Sequence, residues 1–274
     1  MIKVENLSRV YRRSRTSPLR PRAEVHALRD VSFEIEAGRR FGIVGESGSG
    51  KSTLVRLIAG LDQPTAGAVT FDGQRVDGRS ERRLSFLRRD LQVVFQDPTG
   101  SLDPRMRVRD IIAEPLVAQR IPGQAERVAE LLAAVGLPAD AGRRFPHQFS
   151  GGQRQRISLA RALAPKPRVL VADEPVSALD VSVRAQILNL LSDLVEQFAL
   201  TLVFVSHDLS VVRHVCDTVA VLRSGELVEI GDVEQVYREP RHPYTRQLVQ
   251  AAPTLRGALS GVTAADLISE RKRP

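Results

Sequence analysis

The sequence predicts an α/β fold built on a mostly parallel sheet. Three apolar runs, "RRFGIV" (39–44), "RVLVADEP" (168–175) and "TLVFVS" (201–206), are short, rich in β-branched residues and followed by polar or glycine-rich residues. Segments with helix-period apolar spacing separate them, and the glycine-rich stretch "GESGSGKST" (45–53) lies between the first run and the helical pattern "STLVRLIAG". Runs of this kind read as buried strands, and buried strands that alternate with helices pair in parallel.

The composition permits such a core. With 274 residues and 42% hydrophobic content, the chain is long enough for one large domain or two modest ones. Forty Lys and Arg against 32 Asp and Glu give a net charge of +8, which fits nucleic acid, an anionic membrane surface or a basic background, and selects none of them. The single cysteine, Cys216, excludes a disulfide framework and a cysteine-held metal cluster, and reads as a small buried residue. The start, "MIKVENLSRVYRRSR", has no apolar stretch of the signal-peptide kind, and no apolar run reaches the roughly 18 residues of a membrane span, so the chain is expected in the cytosol. Lys3, Lys51, Lys166 and Lys272 are the only lysines among the cations, which makes the lysine of "SGKST" conspicuous.

The first element is that loop. Between a strand and a helix, glycines let the backbone turn tightly and aim successive N–H groups inward, and the helix N-terminus adds its partial positive charge. Gly45 to Ser52 fit G-x-x-x-x-G-K-[ST], in which the lysine reaches the terminal phosphates and the hydroxyl, here Ser52, ligates Mg²⁺. A flexible Gly/Ser turn is the bland alternative, and the flanking strand and helix argue against it.

The second strand ends in Asp173 and Glu174. Unpaired carboxylates at a buried strand tip are costly and need a reason. Asp173 is expected to serve Mg²⁺, directly or through water, and Glu174 to polarise an attacking water. The third strand delivers Ser206, His207 and Asp208. Ligands gather at the carboxyl ends of parallel strands, so His207 is placed to sense a γ-phosphate rather than to be an ordinary surface histidine. "FSGGQRQR" (149–156) is a second glycine-opened helix start with no strand immediately before it. One nucleotide does not require two anion-binding helix starts, which points to a dimer.

In order, "GESGSGKST", "VVFQDP", "FSGGQ", "VLVADEP", "SALD" and "SHD" resemble the ATP-binding subunit of an ABC transporter. The resemblance covers most of the chain. It implies the ABC ATPase fold: a RecA-like P-loop NTPase core, an N-terminal antiparallel β-subdomain and an inserted α-helical signature subdomain. It also implies ATP and Mg²⁺ as cofactors. The Walker A loop is then Gly45, Glu46, Ser47, Gly48, Ser49, Gly50, Lys51, Ser52 and Thr53, and Gln96 is the Q-loop glutamine. The catalytic groups are Glu174, His207 and Lys51, and the metal is held by Ser52, Gln96 and Asp173. Ser150, Gly151, Gly152 and Gln153 form the signature, Asp180 ends the D-loop, and Tyr11 stacks on adenine, its bland alternative being an edge-packing residue. In this family two such subunits pack head to tail, with the signature of one closing over the ATP of the other.

The resemblance also divides the chain. An ABC ATPase domain occupies 1–250, with 1–96 and 161–232 as core plus β-subdomain and 97–160 as the helical subdomain, and a C-terminal extension occupies 233–274. The strand patterns "VSFEIEAG", "GAVTFDG" and "LQVVFQ" lie in the first part; "VRDIIAEPLVAQ" and "ERVAELLAAVGL" are helical patterns in the insertion. "VSVRAQILNLLSDLVEQF" places Val183, Ile187, Leu190, Leu194 and Phe198 on one core-facing helical stripe. The basic stretch "RRSRTSPLRPRAE" (12–24) reads as a solvated loop or a contact for anionic lipid headgroups, and the end "ERKRP" as frayed.

"VFQDPTGSLDPRMRVRDIIAEPL" and "EPRHPYTRQLVQAAP" resemble the dipeptide, oligopeptide and nickel importer subfamily. That implies a subunit that binds and hydrolyses ATP to power a bacterial importer of di- or oligopeptides, or of nickel, at the cytoplasmic face of the inner membrane. Its partners are permease subunits, a second identical or homologous ATPase and, indirectly, a substrate-binding protein; nucleic acid is not among them. An ATPase of a nontransport complex, such as a carbon–phosphorus lyase assembly, is the alternative. Nucleic-acid and ribosome ATPases usually carry two nucleotide domains or a long coiled coil, and neither is found in this sequence.

Overall fold

The computed structural model describes residues 1–12, 24–96 and 98–251. The expectations for most of the basic stretch 12–24 and for the frayed end fall outside the described residues. Among the described residues, ten strands and ten α-helices follow one another in two layers of sheet and a helical layer. The strands are β1 (Ile2–Arg12), β2 (Glu24–Ile35), β3 (Arg40–Val44), β4 (Ala66–Phe71), β5 (Gln74–Arg75), β6 (Leu91–Val94), β7 (Val169–Asp173), β8 (Thr201–Ser206), β9 (Thr218–Arg223) and β10 (Glu226–Asp232). The helices are α1 (Lys51–Ile58), α2 (Ser85–Asp90), α3 (Pro98–Ser101), α4 (Val108–Ala118), α5 (Gln124–Ala134), α6 (Gly151–Leu163), α7 (Val181–Gln197), α8 (Leu209–Val215), α9 (Val233–Arg238) and α10 (Pro243–Ala251).

The larger sheet has the order β10-β9-β3-β8-β7-β6, parallel throughout except for the antiparallel edge pair β9/β10. The smaller one, β2-β1-β4-β5, is wholly antiparallel. This is the mixed α/β architecture with an antiparallel subdomain that the sequence predicts.

Alternation along the central strands divides the core in two. In β8, Val203 and Val205 join Ile2, Val4, Leu54 and Phe71 in the cluster that holds the antiparallel sheet and α1. Leu202 and Phe204, between them in sequence, face the other way and pack with Ile157, Leu191 and Leu209 from the helical layer. A strand buried on both faces must be apolar at every position, which is why β7 and β8 read as continuous runs. In α7 the buried set is Ile187, Leu188, Leu191, Leu194 and Val195, while Val183, Leu190 and Phe198 of the predicted stripe are only partly buried against the core. Cys216 is buried, and burial pushes its thiol pKa well up, so it packs as an apolar residue. No helix among the described residues is long and apolar enough to cross a membrane.

Candidate functional site

Strands β3, β7 and β8 are adjacent and parallel, so their carboxyl ends bring the glycine loop, Asp173 with Glu174, and His207 to one edge of the sheet. A cleft of about 680 Å³ opens there, lined by Glu46, Ser47, Gly48, Gly50, Lys51, Ser52 and Thr53 of the loop, with Gln96, Glu174 and His207 opposite.

The loop can follow its path because Gly50, at φ 107°, takes a conformation that side chains rarely adopt, and a Cβ there would stand 2.4 Å from the Ala27 carbonyl oxygen. Its start is equally tight: a Cβ on Gly45 would lie 2.2 Å from the Leu222 carbonyl oxygen. The loop is also tied from behind, since the Gly225 N–H donates to the Ser49 carbonyl at 2.9 Å.

Lys51 is 5% exposed, and its Nζ donates to the carbonyls of Gly45 (2.7 Å) and Glu46 (2.9 Å), with Glu174 Oε1 at 3.8 Å. Burial lowers its pKa, opposed by the charges of Glu174 and Asp173. Asp173 is buried and its Oδ1 has no hydrogen-bond partner. Burial raises its carboxyl pKa, countered by a hydrogen bond from Ser52 and by the Lys51 charge, while Glu174 pushes it up further. A buried carboxylate oxygen without a donor, beside a serine hydroxyl on a phosphate-type loop, is the donor set a hard divalent cation takes together with phosphate oxygens.

Glu174 stands at φ 48° immediately after β7, with its N–H still in the ladder to the Val205 carbonyl at 2.9 Å. That left-handed turn swings the side chain into the cleft. Its Oε2 accepts from Gln96 Nε2 at 3.4 Å and lies 3.2 Å from His207 Nδ1. Lys51, Ser52, Gln96, Asp173, Glu174 and His207 are therefore brought together as the sequence predicts.

Other predicted residues stand elsewhere. None of Ser150, Gly151, Gly152, Gln153 and Asp180 lines the cleft. Ser150 and Gln153 form a reciprocal cap at the start of α6: the Gln153 N–H donates to Ser150 Oγ at 3.3 Å and the Ser150 N–H to Gln153 Oε1 at 3.0 Å. Asp180 precedes α7 beside Val181, which is 81% exposed. Tyr11, expected against adenine, does not line the cleft either: its hydroxyl donates to Asp62 Oδ2 at 2.6 Å and the Arg9 guanidinium covers its ring at 4.4 Å. Val25, His26 and Ala27 form the wall on that side, and sequence reasoning assigned them no role.

Residues 28–177 match the family model described as ABC transporter. The chain belongs to the ABC transporter family. A second model, for the oligopeptide/dipeptide transporter C-terminal region, matches residues 228–270. Among curated relatives of this ABC protein, the di/tripeptide transport ATP-binding protein DppF of Pseudomonas aeruginosa is 48% identical over 93% of the chain and 80% of its own length. The oligopeptide transport ATP-binding protein OppD of Mycobacterium tuberculosis is 52% identical over 92% of the chain, but the match spans 42% of that protein. The glutathione import ATP-binding protein GsiA of Escherichia coli is 52% identical over 84% of the chain and 37% of its own length. Among solved structures, a dimeric ATP-binding cassette in a post-hydrolysis state with ADP and Pi superposes with TM-score 0.74 at 31% identity, covering 85% of this chain and 99% of that one. The cbiO1 structure from Clostridium perfringens gives TM-score 0.75 at 28% identity over 95% and 98% of the two chains.

Proposed function

We propose that this chain is the ATP-binding and ATP-hydrolysing subunit of an importer for di- or oligopeptides, seated peripherally at the cytoplasmic face of the membrane against permease subunits. The observation that carries the reading is the convergence of Lys51, Glu174, Gln96 and His207 on the phosphate-type loop. Relatives named for di/tripeptide, oligopeptide and glutathione transport, and a C-terminal region matching the oligopeptide/dipeptide type, favour import over the lyase-type assembly. The substrate-binding protein enters only through the permease.

In the mechanism, the N–H groups of the loop and the start of α1 receive the β- and γ-phosphates, and Lys51, held by the Gly45 and Glu46 carbonyls, directs its remaining N–H to a phosphate oxygen. Ser52, Asp173 and Gln96 would hold Mg²⁺, which would supply positive charge to neutralise that developing on the phosphate oxygens. Glu174 accepts a hydrogen bond from the water opposite the leaving group and takes its proton as the oxygen attacks the γ-phosphorus; the bond from that phosphorus to the β,γ-bridging oxygen breaks, and its electron pair leaves with ADP. His207 and Gln96 hold the Glu174 carboxylate in line and contact the γ-phosphate edge.

Ser150, Gly151, Gly152, Gln153 and Asp180 lie outside the cleft of their own chain, which supports their serving the ATP of a second ATPase packed head to tail. Sedimentation of the Glu174→Gln chain with and without ATP tests this: ATP should convert monomer to dimer. A monomer at saturating ATP would remove the dimeric site. Purification from native membranes tests the transport reading, which requires two permease chains at stoichiometric amounts.

A further inference from the structure

The Glu46 N–H, in the first turn of the loop, donates to the hydroxyl of Tyr244 at 2.9 Å. Tyr244 belongs to α10, in the C-terminal extension, and is 2% exposed. The carbonyl of the same peptide unit, that of Gly45, accepts from Lys51 Nζ at 2.7 Å. One planar group therefore links the C-terminal helix to the lysine of the phosphate site, and fixing its N–H fixes the direction of its C=O.

Tyr244 reaches that point through a defined approach. The Glu229 carboxylate of β10 accepts the backbone N–H groups of Arg241 (2.9 Å) and His242 (3.0 Å), and the Tyr244 N–H donates to His242 Nδ1 at 3.1 Å. The Arg223 guanidinium, at the end of β9, lies 5.0 Å from the Tyr244 ring centroid. A phenylalanine could fill the same space. Only the hydroxyl serves the loop.

We infer that Tyr244 is a positioning residue for the phosphate loop, which couples the docking of α10 to the holding of nucleotide phosphates. The inference rests on the reading of Gly45 to Thr53 as the ATP phosphate site. Without the hydroxyl, the Gly45–Glu46 peptide is free to rotate and the carbonyls that position Lys51 lose their fixed direction. By reciprocity, ATP that orders the loop also tightens α10 against it.

The test uses the full chain, with ATP as the probe. Tyr244→Phe should weaken ATP binding by about fivefold to tenfold, the range one hydrogen bond supplies. Glu46→Pro removes the donor itself, so in that background Tyr244→Phe should cause no further loss. Amide exchange gives a readout independent of that variant's folding: ATP should slow exchange in 243–251 of the wild type and leave Tyr244→Phe unchanged. Wild-type affinity in Tyr244→Phe, an equal effect in both backgrounds, or identical ATP protection of α10 overturns the inference. Lys51→Ala separates the two levels. If it binds ATP as the wild type does, the phosphate-site reading and this inference fall together; if it is defective while Tyr244→Phe is not, the inference falls alone.

Discussion

His207 Nδ1 lies 3.2 Å from Glu174 Oε2, so the residue after β8 touches the residue after β7 across the cleft. Gln96, which follows β6, donates to the same oxygen at 3.4 Å. Two contacts from neighbouring strands thus fix one carboxylate whose other oxygen faces Lys51 at 3.8 Å. The carboxylate is oriented before any water or phosphate arrives.

Replacement of Glu174 by Gln keeps the shape and removes the proton acceptor. ATP hydrolysis should fall by about 10²- to 10⁴-fold while ATP affinity stays within about threefold of wild type. Phosphate release and equilibrium nucleotide binding, measured on the same preparation, check this. A variant hydrolysing within tenfold of wild type excludes Glu174 as the base.

For Lys51→Ala the expected loss lies in binding. ATP at about 100 times Kd should stabilise the wild type by about 2.7 kcal/mol. The variant should show no thermal shift at that concentration. Melting curves with and without ATP decide the matter, and a full shift in the variant contradicts the role given to Lys51.

Two glycines of the loop should differ. At Gly50, a methyl group meets both an unfavourable φ and the Ala27 carbonyl at 2.4 Å, whereas at Gly48, φ 81°, nothing lies within 4 Å. Gly48→Ala should cost about 1–2 kcal/mol from backbone strain alone, and Gly50→Ala distinctly more. Urea unfolding of both variants tests the order, and equal losses would show that the close approach has no energetic weight.

Acid should loosen α10. Burial pushes the Glu229 carboxyl up, but the nearby Thr245 hydroxyl and the hydrogen bonds from the N–H groups of Arg241 and His242 outweigh it, holding the folded pKa below the ordinary carboxylate value. A depressed folded pKa means that this stabilisation is complete above the unfolded value and is lost as pH falls through the folded one. Amide protection in 243–251 should therefore decline as pH is lowered through that window, and Glu229→Gln should flatten the profile. A profile unchanged by Glu229→Gln assigns the dependence to another group.

Much of the cleft was legible because its groups sit at strand ends, where a local pattern and the rules of parallel sheets place them. "TLVFVS" coincides with Thr201–Ser206, and "RVLVADEP" contains Val169–Asp173. Long-range partners were not legible. The link from Glu46 to Tyr244 spans 198 residues, and nothing in "HPYT" signals a hydroxyl aimed at the loop. The partner of Tyr11 was hidden for a related reason: its hydroxyl donates to Asp62, 51 residues on, outside its own strand. In α7 the predicted stripe was too narrow, because Leu188, Leu191 and Val195 are also buried and the core covers more of the helix than one row.

The reciprocal cap between Ser150 and Gln153 bears on how forcefully two subunits can close. Both side chains are already hydrogen-bonded to the backbone of their own helix start. Each accepts a backbone N–H through its oxygen, so the Ser150 O–H and the Gln153 NH2 stay free to donate to a phosphate of a neighbouring chain in the proposed head-to-tail pair, with their direction already set. Such a joint would need no rearrangement of its own to engage, as a socket does and a latch does not.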